Sequence, residues 1–472
     1  MRRNSSNPKS PMLKSERKAV LSLSSIFALR MFGLFMLLPV LSIYGYHYPD
    51  ATSVKIGWAL GAYGLTQAVL QIPAGILSDI WGRKPVIALG LAVFAIGSGI
   101  AALSDTLTGV IIGRALQGAG AISAAILALT SDLTRVEQRT KAMALIGISI
   151  GASFMLALIV SPVLVSYLGL SGLFWMITVM ALSGIVIIYW VVPEAEQAVT
   201  ARSSASIAQD LKNVWNNNYL KRLDFGVFSL HFALTGLFFS LPRILMEFGE
   251  LEVADHWTVY VPALMLSVIG LALFMKLSEN GQRQHLAFKL AIGLAMMSIL
   301  AVFGVKFSMG LFMLGVFIWL FFCGFNFLEA QLPALVSQAA SMNSKGMAMG
   351  VYNTFQFSGV FLGGVLSGWM FSIWGHTGVA VVCAVPLILW IGIEALSPGF
   401  TQYSSRIIKI KSGIESYESK LLAKIMDNPG VNEAIFIKED HAVFLKVEDQ
   451  HLDELQLKSA LEEFALPYEM YR

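Results

Sequence analysis

The sequence predicts an all-α polytopic membrane protein, two six-helix bundles in one chain, followed by a small α+β domain. Three observations carry that reading. Of 472 residues, 56% are hydrophobic and 13% charged, against about 25% charged in an ordinary soluble domain. Apolar runs of the roughly 20 residues that cross a bilayer as a helix recur along most of the chain. The charge is also divided: residues 1–403 carry a net +7 and residues 404–472 a net −4, so only the last segment has the composition of a water-soluble unit.

The runs fall at about 19–42, 54–78, 84–103, 107–131, 142–168 and 171–192, then at about 223–247, 256–278, 286–304, 307–331, 346–372 and 377–397. The polar stretch between the two sets reads as a linker. The chain thus divides into an N-terminal tail (1–18), a first bundle (19–192), a linker (193–222), a second bundle (223–397) and a terminal domain (398–472). The first run follows a basic start but is too long for a signal peptide and lacks a small-residue cleavage site, so it reads as an uncleaved first helix. Lys and Arg near helix ends orient the spans in the lipid bilayer. Nearly all lie on one side: Arg2, Arg3, Lys9, Arg83, Lys84, Arg135, Arg139, Lys141, Arg202, Lys276, Arg283 and Lys345. The other side offers little beyond Lys55, Arg243 and Lys306. Both termini and the linker are therefore expected in the cytoplasm, as in a multi-pass protein of the inner (plasma) membrane.

Several functions are disfavoured. Cys323 and Cys383 sit in apolar runs without a CxxC or a nearby His, and are expected as core residues, with no metal site. No catalytic triad, metal cluster or GxxxxGK[ST] loop occurs, so an enzyme is the weakest candidate and ATP is not expected as the direct energy source. No dense basic stripe marks a nucleic-acid partner.

Between the second and third helices stands Gly75-Ile76-Leu77-Ser78-Asp79-Ile80-Trp81-Gly82-Arg83-Lys84-Pro85, and helix 4 carries Arg114, Gly118 and Gly120 in the pattern RxxxGxG. The first element, with Gly75, Asp79, Gly82, Arg83 and Lys84 in the positions of GxxxDxxGRK, resembles the loop signature of the major facilitator superfamily, and the second resembles that family's helix 4 motif. The resemblance implies a twelve-helix major facilitator fold. It also implies alternating access by rocking of two bundles about a midplane site, a small-molecule substrate, and a proton gradient rather than a cofactor as energy source. It further implies a gating charge cluster of Asp79, Arg83 and Asp132 that latches the outward-open state. Two stretches depart from the family. The loop Lys276 to Arg283 keeps charges without the signature. Ala157 to Ser166 in helix 5 keeps Pro162 but lacks the glycines of typical drug:proton antiporters.

Ionisable residues at membrane depth are costly and mark function by default. Arg30, Arg114, His231 and Glu329, the last with Asn326, fall on helices 1, 4, 7 and 10, the helices that line the central cavity in the resembled fold. Glu329 reads as the main buried carboxylate and a proton exchanger, and His231 titrates near neutrality unaided. Arg30 and Arg114 stay charged, so they are expected to bind anionic groups or to hold a carboxylate ionised. The competing readings are arginines tied to backbone carbonyls, a core histidine and a glutamate reaching the inner surface. Phe at 30 and Met at 21 supply material for an adaptable apolar pocket.

The terminal segment shows a βαββαβ pattern: a strand at 406–411, a helix at 415–427, a hairpin of 431–438 and 442–447 around Glu439-Asp440-His441, a helix at 453–464 and a strand at 466–471. That is the order of a ferredoxin-like domain, with Ile435, Ile437, Val443, Leu445 and Val447 expected in its core. Ser412-Gly413-Ile414 occupies the place of a metal-binding CxxC. Phe436 and Phe444 are assigned to the open face of the sheet, where aromatic pairs can stack RNA bases, but the negative charge of the domain opposes that use. A regulatory ligand or protein is the expected partner of this domain. Together these features predict a proton-coupled exporter of small lipophilic molecules, a multidrug efflux protein working by proton antiport. The alternatives are an uptake symporter for a sugar or organic anion, favoured by the two arginines and the missing helix 5 glycines, and a non-transporting sensor that signals through its tail.

Overall fold

The computed structural model describes residues 11–194, 204–279, 281–304, 310–341, 344–400, 404–410, 418–437, 442–448, 451–463 and 468–471. Arg2, Arg3, Lys9, Arg202, Lys306, the Ser412-Gly413-Ile414 segment and the Glu439-Asp440-His441 turn lie outside these residues. Among those described, ten helical stretches are long and apolar enough to cross a membrane. Span 1 consists of α1 (Lys14–Phe35) and α2 (Leu38–Tyr44), span 2 is α3 (Ser53–Trp81), span 3 is α4 (Arg83–Leu103), and span 4 joins α5 (Leu107–Ala119) to α6 (Ser123–Asp132). The long α7 (Val136–Trp190) holds spans 5 and 6. After the linker helix α8 (Ser204–Asn216) come α9 (Asn218–Glu247), α10 (Trp257–Ser278), α11 (Gly281–Gly304) and α12 (Gly310–Ala339) as spans 7 to 10, and α13 (Lys345–Leu396) holds spans 11 and 12. The two long helices turn back where Gly169 and Gly375 take φ of 65° and 59°, backbone geometry that glycine adopts without penalty. Twelve spans in two sets of six result.

Local chemistry explains the ends and breaks. Thr52, Thr106 and Asn217 cap α3, α5 and α9 by accepting from backbone N–H groups of the first turn, as N-cap side chains do. Span 1 breaks because Pro39 has no N–H for the Phe35 carbonyl, and the Ser161 hydroxyl on α7 donates to the Met36 carbonyl in the break. Span 4 breaks at Gly120, whose ψ of 51° departs from the helix. Exposed apolar side chains such as Ile148, Val179, Leu273 and Leu396 cover the outer surface, which suits a protein solvated by lipid tails.

The tail domain follows on the side of the molecule that also holds the linker helix, called here the tail side. Strands β1 (Ser404–Ile410), β2 (Val431–Ile437), β3 (Ala442–Val447) and β4 (Tyr468–Tyr471) alternate with α14 (Glu418–Met426) and α15 (Glu454–Glu462). They form one sheet in the order β2-β3-β1-β4, every pair antiparallel. Ile408, Val443, Leu445 and Val447 pack on Leu421, Ile425, Leu457 and Leu461. The sheet corrects two expectations. A register irregularity between Val431 and Glu433 reverses the alternation of β2, since one extra residue moves every later side chain to the other face. Ala434 and Phe436 therefore pack on the core, and Ile435 pairs with Phe444, so Phe436 and Phe444 do not share a face. The side chain of Ile437 lies outside those described.

Among the described residues, contacts of Lys446 and of the connector fix this domain to the second bundle. Lys446 donates from Nζ to the Ala339 and Ala340 carbonyls at 2.9 and 3.1 Å, serving acceptors that the end of α12 leaves free; burial draws the Lys446 ammonium below its ordinary lysine value. In the connector, Phe400 is buried, edge-on to Phe288 at 4.8 Å and His285 at 5.1 Å.

At the far side the two bundles are joined by Arg243 on α9, which donates from Nε and Nη2 to the Ser42 carbonyl of α2, both at 3.1 Å, while its guanidinium lies 3.9 Å from the Tyr46 ring centre. In the adjoining loop Asp50 accepts from Lys55 Nζ, Thr108 Oγ1 and the Leu107 N–H, each at 2.7 Å. The Lys55 ammonium and the Thr108 hydroxyl hold this carboxyl well below the usual carboxylate range. Its stabilisation is present above the ordinary carboxylate pKa and is lost only as pH falls through the lower folded value, so this clamp stays closed in mild acid.

Candidate transport site

The four candidate ionisable residues form two clusters, one per bundle. In the first, Arg30 of α1 donates to Ser123 Oγ at 3.0 Å, to the Tyr63 hydroxyl at 2.8 Å and to Gln67 Oε1 at 2.7 Å. Gln67 in turn donates to Gln71 Oε1 at 2.6 Å. Arg114 donates to the Ala59 carbonyl at 3.1 Å and to Gln117 Oε1 at 2.8 Å, and its guanidinium lies 5.2 Å from the Tyr63 ring centre. Both arginines are at most 2% exposed. Neither is drawn onto a carboxylate; neutral oxygens and ring faces solvate them instead, which removes the expectation that they hold a carboxylate ionised. The carbonyl bond of Arg114 is the structural arrangement weighed against a binding role, whereas Arg30 Nε is buried without a partner.

In the second cluster, His231 of α9 places Nδ1 3.2 Å from the Val227 carbonyl, and Gln356 Nε2 lies 2.8 Å from His231 Nε2. That geometry assigns a neutral ring with Nδ1 donating and Nε2 accepting. Glu329 Oε2 stands 3.7 Å from the same Nε2, so a proton added there would create an ion pair. Asn326 does not join this group: its amide donates to Ser267 Oγ on α10 at 2.7 Å. Glu329 also differs from expectation. Its side chain is 38% exposed, and the buried carboxylates of this bundle are Glu394 at 0% and Asp224 at 3%. Neither is among the candidates drawn from the sequence; the available signal was an acid standing between apolar residues, Leu223 and Phe225 beside Asp224 and Ile393 and Ala395 beside Glu394. The two clusters approach one another at Tyr63 and Phe357, whose rings meet at 5.9 Å in an edge arrangement.

The loop signature lies between α3 and α4 on the tail side. Arg83 pairs with Asp79, places Nε 3.3 Å from Asp132 Oδ2 and donates to Ser78 at 2.7 Å. Gly82 turns the chain at φ 94°, Gly75 lets α3 lie against Ala124, and Lys84 donates to the Val192 carbonyl and Glu194, both at 2.8 Å. Asp79, Arg83 and Asp132 are thus brought together, as the sequence suggested, and they are joined while Arg243 bridges the far side. Sequence reading missed a second link on this side: Glu16, 4% exposed, accepts Arg135 Nε at 2.8 Å and Nη2 at 3.0 Å, fastening span 1 to the loop after span 4. If the Asp79 group acts as a latch, Asp79→Asn will lengthen the distance between spin labels at Lys141 and Glu279 on the tail side. An unchanged distance distribution would leave the cluster as ordinary partly exposed loop charges.

Two bundles of six spans, with polar clusters on spans 1, 4, 7 and 10 and this loop between spans 2 and 3, define a transporter of the major facilitator class. Residues 23–364 match the Major Facilitator Superfamily family, and the chain belongs to it. The inner membrane transport protein YajR of Escherichia coli (strain K12) is 39% identical over 95% of this chain and 98% of its own length. The multidrug resistance protein MdtL of Shigella dysenteriae is 28% identical over 44% of this chain and 54% of its own. Among solved structures, a bacterial homologue of the human lysosomal transporter Spinster, in an inward-facing and occupied conformation, shares the fold with a TM-score of 0.65 and 14% identity, over 83% of this chain and 97% of its own.

Proposed function

We propose that the protein is a proton-coupled exporter of small lipophilic molecules in the bacterial inner membrane, working by alternating access. The observation that carries the reading is the His231, Gln356 and Glu329 group on spans 7, 10 and 11, in which a proton taken up at His231 Nε2 would form an ion pair with a Glu329 carboxylate. The aromatic wall beside it, with Phe154 meeting Phe238 and Phe322 across the bundles at 6.2 and 6.1 Å, suits apolar substrates, and the similarity to a multidrug resistance protein points the same way. The basic residues of the tail side, Arg83, Lys84, Arg135, Arg139, Lys141, Lys276 and Lys345 among them, support cytoplasmic termini. A second reading, import of an organic anion, is favoured by Arg30, a buried cation whose partners are all neutral.

The test is proton movement in liposomes holding the purified protein while lipophilic cations, sugars and organic anions are added in turn. Compound-driven proton flux is expected for one class, reduced at least about tenfold in Glu329→Gln, the scale of losing one proton-transfer group. Binding without proton movement in either protein would overturn the coupling.

The strand order and βαββαβ sequence of the tail support a ferredoxin-like module in a regulatory or docking role. Because Pro398 and Phe400 belong to the packing of the second bundle, a chain ending after Ser397 is expected to lose thermal stability, whereas one ending after Phe400 keeps it and reports the regulatory effect alone. Equal melting of the two truncated chains would contradict the anchoring role of Phe400.

A further inference from the structure

Asp224 lies on α9 two turns toward the tail side from His231. It is 3% exposed, and its Oδ1 is buried without a hydrogen-bond partner. Buried polar atoms are ordinarily paired, and an ionisable residue at membrane depth is a functional candidate by default. The nearest arginine in sequence does not serve it. Arg222 is committed to Glu394, placing Nε 2.8 Å from Oε1, to the Pro398 carbonyl at 2.8 Å and to His285 at 3.0 Å.

Across from Asp224 on α13 is Tyr352, also 3% exposed, with a hydroxyl that is buried and unpartnered. The two helices run side by side here, Gly359 against the Phe228 carbonyl and Gly363 against that of Phe232, which carries Asp224 and Tyr352 to the same end of the seam. Glu329 Oε2, the oxygen nearest His231, is likewise without a hydrogen bond. Tyr352 and Gln356 are four residues apart on α13, and Asp224 and His231 seven apart on α9, so each pair lies on one face of its helix. Among the described residues, the titratable and charged groups on the elements packed against this half of α9 are Lys345, Tyr352 and Glu394 on α13, Glu329 on α12, Arg283, His285 and Lys289 on α11, and Asp210 and Lys212 on α8; Glu394 and His285 close on Arg222. Asp224 and Tyr352 thus stand on the tail side of the His231, Gln356 and Glu329 cluster.

We propose that Asp224 is a second proton-carrying group of the transport cycle, passing its proton through Tyr352 to Glu329. A phenol both donates and accepts. Asp224 as the acid gives its proton to the Tyr352 oxygen while the Tyr352 proton goes to the Glu329 carboxylate, directly after a rotamer change or through one water; Tyr352 ends neutral and one proton has moved. This deepens the proton-coupled reading and rests on it.

The experiment compares wild type, Asp224→Asn, Asp224→Glu, Tyr352→Phe and Glu329→Gln by compound-driven proton flux in liposomes and by pH-difference infrared spectroscopy of the protonated carboxyl band. Melting curves and binding of the transported compound check each fold. Asp224→Asn is expected to remove one titrating carboxyl component and to cut flux about tenfold or more with binding retained. Asp224→Glu is expected to restore part of both, and Tyr352→Phe to cut flux while the band stays. An unaltered carboxyl spectrum in Asp224→Asn, or wild-type flux in either Asp224→Asn or Tyr352→Phe, overturns the relay. Absence of flux in wild type overturns the coupled reading and the relay with it, whereas failure of the relay alone leaves wild-type flux and its loss in Glu329→Gln intact.

Discussion

Replacing Arg222 by alanine is expected to destabilise the protein by about 3–5 kcal/mol, the cost of stranding one partner of a buried ion pair. Glu394 is fully buried and Arg222 is 7% exposed. The guanidinium holds Glu394, His285 and the Pro398 carbonyl together and stacks 4.7 Å from the Phe400 ring centre. Spans 7, 9 and 12 and the connector to the tail thus share one charged centre. Its removal leaves a carboxylate in an apolar packing with only His285, 3.1 Å away, to neutralise it. Thermal unfolding in detergent should show a marked fall for Arg222→Ala, and a smaller one for the double variant Arg222→Met with Glu394→Leu, in which no charge is left behind. Melting of Arg222→Ala at the wild-type temperature would contradict the assignment.

The second large effect belongs to the seam between spans 2 and 11, where backbone meets backbone across the two bundles. A Cβ at Gly57 would stand 2.4 Å from the Gly364 carbonyl oxygen, and one at Gly61 would stand 2.6 Å from that of Phe361. Neither neighbour is a flexible side chain that can turn aside, so the helices themselves must part. Gly61→Leu is expected to cost about 1–3 kcal/mol or more as overpacking and to abolish transport. Gly57→Leu, nearer the far side, is expected to push that side open. Spin labels at Asp105 and Glu252 report the opening as a longer distance. Wild-type transport in Gly61→Leu would show that the seam does not need its close approach.

Much of this architecture was legible because apolar length and loop charge are local properties. The twelve spans, the linker, the loop signature and the order of the tail elements each leave a mark within a few residues. What escaped depends on partners distant in sequence. The break at Met36 is satisfied by Ser161, and nothing near Met36 announces it. Burial rank escaped for the same reason: Glu329 looked deepest because its neighbours are apolar, yet Glu394 is the carboxylate enclosed by Arg222 and His285. The reversal in β2 comes from one irregularity next to Val431, which an alternating pattern does not reveal. In the candidate site, spacing placed Arg30, Arg114, His231 and Glu329 on the four central spans. It did not show that Gln67, Gln71, Tyr63 and Gln356, uncharged and easily read as packing, supply their hydrogen bonds.

The central claim is that protonation of the Glu329 group drives the exchange of access between the two sides. Its most direct test is double electron-electron resonance on two labelled pairs, Asp105 with Glu252 on the far side and Lys141 with Glu279 on the tail side. Distances are compared at about pH 8 and about pH 5, a range that spans ordinary histidine titration. The native cysteines, Cys323 and Cys383, are buried and leave the introduced labels distinct. The account predicts opposite changes, one pair lengthening as the other shortens, and a Glu329→Gln protein that stays in one state at both pH values. Distances that ignore pH in wild type, or that move identically in Glu329→Gln, would contradict it.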